Sequence, residues 1–106
     1  GTFLKANAAY QRMMGYTEEE LRRKTVFDLT HQDDLPRNRM LREKLLKGWG
    51  DFFEIEKRYH TKDGRLIWVL TKVSVVKDGL GKLRFTVGAR LRMCSLWSMS
   101  AIFRIV

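Results

Sequence analysis

The sequence predicts an α+β domain in which short helices lie against one face of an antiparallel sheet. From Phe52 to Ala89, apolar and polar residues largely alternate with a period of two, which is typical of half-buried strands. Asp-Gly pairs at positions 63–64 and 78–79 interrupt this alternation and favour hairpin turns. Helix caps precede Phe52, and a second alternating run follows Met99. The predicted fold class rests on these observations.

The chain has 106 residues, of which 44% are hydrophobic, so it can build one packed core. Cys94 is its single cysteine, which excludes an internal disulfide and the need for an oxidising compartment. No signal-peptide pattern is visible at the start, and the longest uncharged stretch, Met93–Phe103, is too short to span a bilayer. We therefore expect a cytoplasmic protein that does not contact a membrane; a fragment of a membrane receptor, which would look the same in sequence, is the alternative.

The charge balance is basic, since 21 Lys and Arg against 12 Asp and Glu give a net charge of +9. Such a charge can attract nucleic acid, so a basic nucleic-acid-associated α+β module is an alternative function. The cations are mixed with acids along the chain, however, and no stretch interleaves aromatic residues with arginines as single-strand binders do. We therefore expect no nucleic acid among the partners.

Cap signals define two short helices near the start of the chain. Asn7 is suited to cap the first helix, and Gly15 to end it, because glycine readily adopts the left-handed conformation of a C-terminal cap. Thr17 and Glu20 have the spacing of a capping box, which predicts a second helix over residues 18–23.

A longer helix is predicted from Leu35 to about Lys47, with Asp33 or Asp34 as its N-terminal cap. Leu91, Cys94 and Trp97 recur at helical spacing, so residues 91–99 are predicted to form a helical connector. The predicted strands are Phe3–Ala6, Asp51–His60, Leu66–Val76, Leu83–Ala89 and Ser100–Val106.

Four segments together resemble the PAS domain family. "GTFLKANAAYQRMMGYTEEEL" resembles the opening of a PAS domain, and "HQDDLP" its His-Pro-x-Asp segment with Gln32 in place of the usual proline. "EIEKRYHTKDGRLIWV" is similar to the third strand, hairpin and Trp-bearing fourth strand of the family, and "DGLGKLRFTVG" to its last hairpin and fifth strand. The resemblance covers about residues 1–90. Ala89-Arg90-Leu91 departs from the Asp-Ile-Thr that usually follows in the family.

The resemblance implies a five-stranded antiparallel sheet whose first strand in sequence lies between the second and the fifth. This chain begins at the second strand, so we expect Ser100–Val106 to fill the central position. Several alternatives stay open: a circularly permuted domain, a strand swapped into a second copy, a fragment of a tandem array whose tail begins the next repeat, or a tail outside the fold.

The resemblance also implies a sensory or interaction domain of a signal-transduction protein, with a covalently linked output domain and no catalysis of its own. A small, mostly apolar ligand would bind between helices and sheet, with Tyr59 or Thr71 giving a polar contact; a completely filled core is the alternative. The candidate pocket residues are Met14, Phe27, Leu29, Met40, Leu41, Phe53, Ile55, Tyr59, Val69, Thr71, Phe85, Val87 and Phe103.

We expect a homodimer, formed either through the outer face of the sheet or through a swapped C-terminal strand. The candidate interface residues on that outer face are Phe3, Trp68, Leu70, Leu91, Trp97 and Met99.

No cofactor or metal site is predicted. The long helix lacks the axial histidine of haem-binding relatives, and Cys94 does not stand in the cysteine motif of flavin-binding light sensors. His31 is expected to serve the turn before the long helix, and His60 to be solvated. Two isolated histidines and one cysteine do not form a structural zinc site.

Overall fold

The helices precede most of the sheet in the chain. The computed structural model describes the backbone of residues 3–93 and 96–105, and the side chains of residues 3 and 5–92. The helices are α1 (Ala8–Met14), α2 (Glu18–Arg22), α3 (Val26–Leu29) and α4 (Leu35–Leu46), with a 3-10 turn at Gln32–Asp34 before α4. The strands are β1 (Phe3–Ala6), β2 (Phe52–His60), β3 (Leu66–Lys77), β4 (Leu83–Met93) and β5 (Leu96–Ile105).

The predicted caps of the first two helices are confirmed. The Asn7 side chain accepts the backbone N–H of Tyr10 at 3.0 Å, and Gly15 ends α1 with φ of 80°. Thr17 and Glu20 form the capping box of α2.

The helix α3 lies between the second predicted helix and the long one, in a segment for which no element was predicted. Its cap is a second capping box, in which Thr25 and Asp28 each accept the other's backbone N–H. The sequence analysis overlooked this box because a four-residue helix is too short to show a hydrophobic period.

The predicted N-terminal cap of α4 is right in position but not in its hydrogen bonding. Asp34, one of the two predicted residues, occupies the cap position but makes no capping hydrogen bond. Its carboxylate instead accepts the backbone N–H of Arg58 at 2.8 Å and two guanidinium N–H groups at 3.0 and 3.1 Å. The pKa of Asp34 is lowered, mainly because the hydrogen bonds from the Arg58 side chain favour the ionised carboxylate. The start of α4 is thereby fixed to β2.

The predicted α+β class, with an antiparallel meander and helices on one face, is confirmed. β2 pairs with β3, and β3 with β4, in continuous antiparallel registers. Ile55, Thr71 and Ala89 lie side by side across these strands, and all three are buried on the face toward the helices. We call this the inner face and the opposite one the outer face.

The sheet order is β1-β5-β4-β3-β2, with all neighbours antiparallel. Ile105 of β5 lies opposite both Phe3 of β1 and Phe85 of β4. The register of β4 and β5 shifts between Ala89 and Arg90, which is the mark of a bulge.

The predicted helical connector over residues 91–99 is wrong, because β4 continues to Met93 and β5 begins at Leu96. Residues 89–93 keep the period of two, and their backbone pairs with β3 as far as Leu91. This ladder of hydrogen bonds outweighs a helical spacing carried by only three residues. Cys94 lies outside the described residues.

Tyrosines occupy the centre of the core between α1 and the sheet. Tyr10 and Tyr59 are fully buried, with ring centroids 6.2 Å apart in an edge-to-face arrangement. Burial raises the pKa of both phenols, since a phenolate loses its hydration there. Phe3 extends this aromatic cluster, 5.7 Å from Tyr10.

Candidate functional site

A cavity lies between α4 and the inner face of the sheet. About 320 Å³ of empty space lies in and around it, counting the part open to solvent, but the cavity itself has room for only about one water molecule. The residues that line it are Val26, Phe27, Asn38, Arg42, Phe53, Lys57, Tyr59, Thr71, Val73, Phe85 and Val87. Its walls are therefore mainly apolar, with a few polar groups, as in ligand-binding pockets.

Helical and strand periodicities bring these polar groups together. Asn38 and Arg42 are four residues apart on α4 and share one face of the helix. Lys57 alternates with Ile55 and Tyr59 on β2, so it points to the same inner face as these buried neighbours.

Lys57 is a buried amine, with only 3% of the residue exposed. Its ammonium donates to the Asn38 side-chain oxygen at 2.6 Å and to the Thr30 hydroxyl at 3.2 Å. It also lies 4.9 Å from the centre of the Tyr59 ring. Burial lowers its pKa to about 7, while the charge of Asp34 acts in the opposite direction.

Arg42 brings a second cation to the cavity. Its guanidinium lies 4.9 Å from the ring centre of Phe85 and 5.9 Å from that of Phe27. The Nε atom is buried and has no hydrogen-bond partner among the described residues. No carboxylate in the described part of the chain forms an ion pair with Arg42.

The structure brings together part of the predicted pocket. Six of the predicted residues line the cavity: Phe27, Phe53, Tyr59, Thr71, Phe85 and Val87. Met14, Leu29, Ile55 and Val69 are buried elsewhere in the core, and Leu41 is half-buried against it. Met40 is 48% exposed, so its predicted place in the pocket is wrong: it lies on the solvent side of α4. The side chain of Phe103 lies outside the described residues.

Among the polar groups of the cavity, Tyr59 and Thr71 were predicted, whereas Asn38, Arg42 and Lys57 were not. Lys57 was passed over because a lysine in a strand is normally solvated, although its alternation with Ile55 and Tyr59 was a usable signal. Asn38 and Arg42 could have been found from their spacing with Leu41 and Leu45, which pack on the core from the same side of α4.

The outer face differs from the predicted interface at two residues. Phe3 is 3% exposed and packs on Tyr10, and Leu91 packs against the core, so both belong to the inner face. Trp68 is 40% exposed on the outer face, where the Arg58 guanidinium lies 5.0 Å from its ring centre, and Leu70 is half-buried. The side chains of Trp97 and Met99 lie outside the described residues.

The two histidines stack on each other, with ring centres 5.5 Å apart. His31 accepts the backbone N–H of Asp33 at 3.1 Å and so serves the turn before α4, as predicted. Within residues whose side chains are described, no group of three His, Cys, Asp or Glu could hold a metal ion. None of the described helices is long and apolar enough to cross a membrane.

Buried Lys57 predicts a pH-dependent stability difference between the protein and its Lys57→Met variant. The unfolded chain keeps this proton up to about pH 10.5, whereas the folded chain releases it near pH 7. Between these values the unfolded state binds more protons, so the free energy of unfolding of the lysine form rises with pH relative to the variant. Below about pH 7 the difference is constant. The full change is on the order of a few kcal/mol.

Urea denaturation of both proteins from about pH 6 to about pH 10 measures this difference. Lys72→Met, on the exposed outer face, is the control and is expected to show no such dependence. Parallel pH curves for the Lys57→Met and Lys72→Met variants would contradict the buried cation.

Comparisons with known proteins agree with this geometry. Residues 3–90 match a family model described as the PAS fold. The chain is 38% identical over 77 residues to the probable diguanylate cyclase DgcE of Escherichia coli (strain K12), covering 73% of this chain and 7% of that protein. It is 33% identical over 73 residues to the sensor histidine kinase TmoS of Ectopseudomonas mendocina, covering 69% and 8%. The chain thus spans less than a tenth of either relative. Since the family match covers most of its length, the chain belongs to the PAS family.

Proposed function

We propose that this chain is a sensory domain that binds a small molecule in the cavity between α4 and the sheet. Its relatives include signalling proteins, namely a probable diguanylate cyclase and a sensor histidine kinase, so a sensory role has family support. The observation that carries the proposal is the cavity itself, in which buried polar groups face a narrow space with apolar walls.

The proposed mechanism is a shift between two packings of α4 against the sheet. A ligand shifts such an equilibrium only by its difference in affinity for the two states. Lys57 contacts α4 through Asn38 and the segment after α3 through Thr30. A ligand that competes for its ammonium therefore changes both contacts. In a longer protein, a covalently linked output domain would read the shift. The chain itself is proposed to have no catalytic activity.

We further propose that β5 takes the place of the first PAS strand. Its pairing with both β1 and β4 supports this assignment, as does the position of Ile105 opposite Phe3. Two readings follow: a permuted strand order within one chain, or a strand exchanged between two copies. The first is favoured, because Met93 at the end of β4 pairs directly with Leu96 at the start of β5.

We also propose that the outer face mediates homodimerisation. Exposed apolar side chains occur there beside charged ones, and an exposed aromatic group favours association. The exposed apolar residues of β2 and β3 on this face are Phe52, Leu66, Trp68 and Val76.

Filling the cavity is expected to abolish ligand binding. In Val87→Phe the larger ring occupies space between α4 and the sheet, whereas Val76→Phe adds the same bulk on the outer face. The measurement is ligand-observed NMR with a library of small carboxylates, amides and alcohols. The compounds that bind the unmodified protein should not bind Val87→Phe and should still bind Val76→Phe. If overpacking prevents Val87→Phe from folding, Thr71→Leu takes its place. Hits that survive both cavity variants would contradict the site.

A proline in β5 is expected to disrupt the fold. Ala101 lies opposite Ala89 in the ladder, and Ala101→Pro removes a backbone donor from a strand that has neighbours on both sides. Thermal unfolding should shift down by more than about 8 °C, which corresponds to about 2 kcal/mol in a domain of this size. Ala101→Ser keeps the N–H group and is the control. Equal melting of the two variants would exclude β5 from the centre of the sheet.

Trp68→Glu is expected to convert a dimer into a monomer. Light scattering should give twice the chain mass of 12.5 kDa for the unmodified protein and the single mass for this variant. Trp49→Glu, at a 68% exposed tryptophan beyond α4, is the control and should stay dimeric. A monomeric unmodified protein, or dissociation by both substitutions, would contradict the outer-face interface.

A further inference from the structure

We propose that the ligand is a small carboxylate with an apolar body, held by Lys57 and Arg42. This inference rests on the proposed function, because it names the class of molecule that the cavity takes. The cavity wall is positively charged, because two cationic side chains line the space and none of the described lining residues carries a carboxylate.

The carboxylate whose charge acts on Lys57 already has another partner. Asp34 influences Lys57 through its charge, but its oxygens accept three hydrogen bonds from Arg58 and none from Lys57. Lys57 is bound to two neutral oxygens, those of Asn38 and Thr30. A buried ammonium without a counter-ion is costly, so an anion that enters beside it gains a strong interaction.

Arg42 is positioned as the second contact. Its guanidinium is held between the rings of Phe27 and Phe85 rather than by an acid, and its buried Nε has no partner among the described residues. An arginine fixed over aromatic rings keeps its planar row of donors available for a carboxylate. The geometry therefore offers a planar donor group on α4 and a point charge on β2.

The remaining wall defines the rest of the ligand. Valine and phenylalanine side chains surround the polar groups, which suits an aliphatic chain or a single ring. The cavity itself has room for about one water molecule, so the ligand is small and enters only when α4 moves away from the sheet. A neutral molecule of the same shape would bring no negative charge to the two cations.

The experiment compares matched carboxylates and amides on the full chain. Hexanoate and benzoate are titrated beside hexanamide and benzamide by calorimetry and by ¹H–¹⁵N NMR at a pH below about 7, where Lys57 is charged. The carboxylates should bind at least about tenfold more tightly than the amides, a ratio that corresponds to 1.4 kcal/mol. Their shift changes should centre on the backbone groups of the cavity wall.

Single-site variants test the two assigned contacts. Lys57→Met and Arg42→Met should each weaken carboxylate binding at least about tenfold and bring it close to that of the matching amide. Lys72→Met, the same lysine substitution on the outer face, is the control and should bind like the unmodified protein. Equal loss in Lys72→Met would show a general effect of charge and overturn the assignment.

The outcomes separate this inference from the proposed function. If amides bind as tightly as carboxylates and shift the same cavity groups, the cavity is a ligand site but the anion assignment is wrong. If neither series binds at millimolar concentration, both the carboxylate and the proposed sensory cavity are overturned. Carboxylate binding that survives Lys57→Met and Arg42→Met would place the anion site elsewhere.

Discussion

The arrangement around the cavity depends on providing hydrogen-bond acceptors for one buried amine, that of Lys57. Lys57 stands on the inner face of β2, where its neighbours along the strand are buried apolar or aromatic side chains. Once there, its ammonium needs oxygen atoms, because burial without hydrogen bonds is costly for a charged group. α4 supplies Asn38, and the segment after α3 supplies Thr30. Three separate elements must therefore converge on a single nitrogen atom.

The next residue along β2 extends this constraint to the opposite face. Arg58 points outward, stacks on Trp68 and fixes Asp34 at the start of α4. The side chains of residues 57 and 58 thus tie α4 to the sheet from both sides, one inside the cavity and one outside it. Lys57 therefore has a short physical connection to the outer face, through the backbone of one strand.

Local signals in the sequence were enough for most of the secondary structure. The period of two predicted the meander, and Asn7, Gly15 and the Thr17–Glu20 box set the ends of two helices. The helix predicted over residues 91–99 failed because a spacing of three apolar residues says nothing about a neighbouring strand that offers a ladder. Asp34 takes the predicted cap position without a capping hydrogen bond for a similar reason, since the partner of its carboxylate, Arg58, is 24 residues away.

The site was less predictable than the fold because its polar members break the usual rule for burial. Six apolar or weakly polar residues of the cavity wall were predicted from the sequence. Met40 was predicted on the wrong side of α4. Lys57 and Arg42 look like ordinary surface cations until the register of β2 and the face of α4 are known. Whether a charged side chain is buried depends on how the helices and strands pack, and a single sequence indicates this only through its periodicity.

The pKa of Lys57 tests the central claim most directly. Its side-chain ¹³Cε and ¹⁵Nζ signals can be assigned by comparison with Lys57→Met and followed by NMR across the pH range in which the domain stays folded. We expect a titration near pH 7, well below the ordinary value for a lysine, because burial removes the hydration of the ammonium and the charge of Asp34 only partly compensates. A titration close to the ordinary value of 10.5 would show a solvated or ion-paired amine and contradict the account.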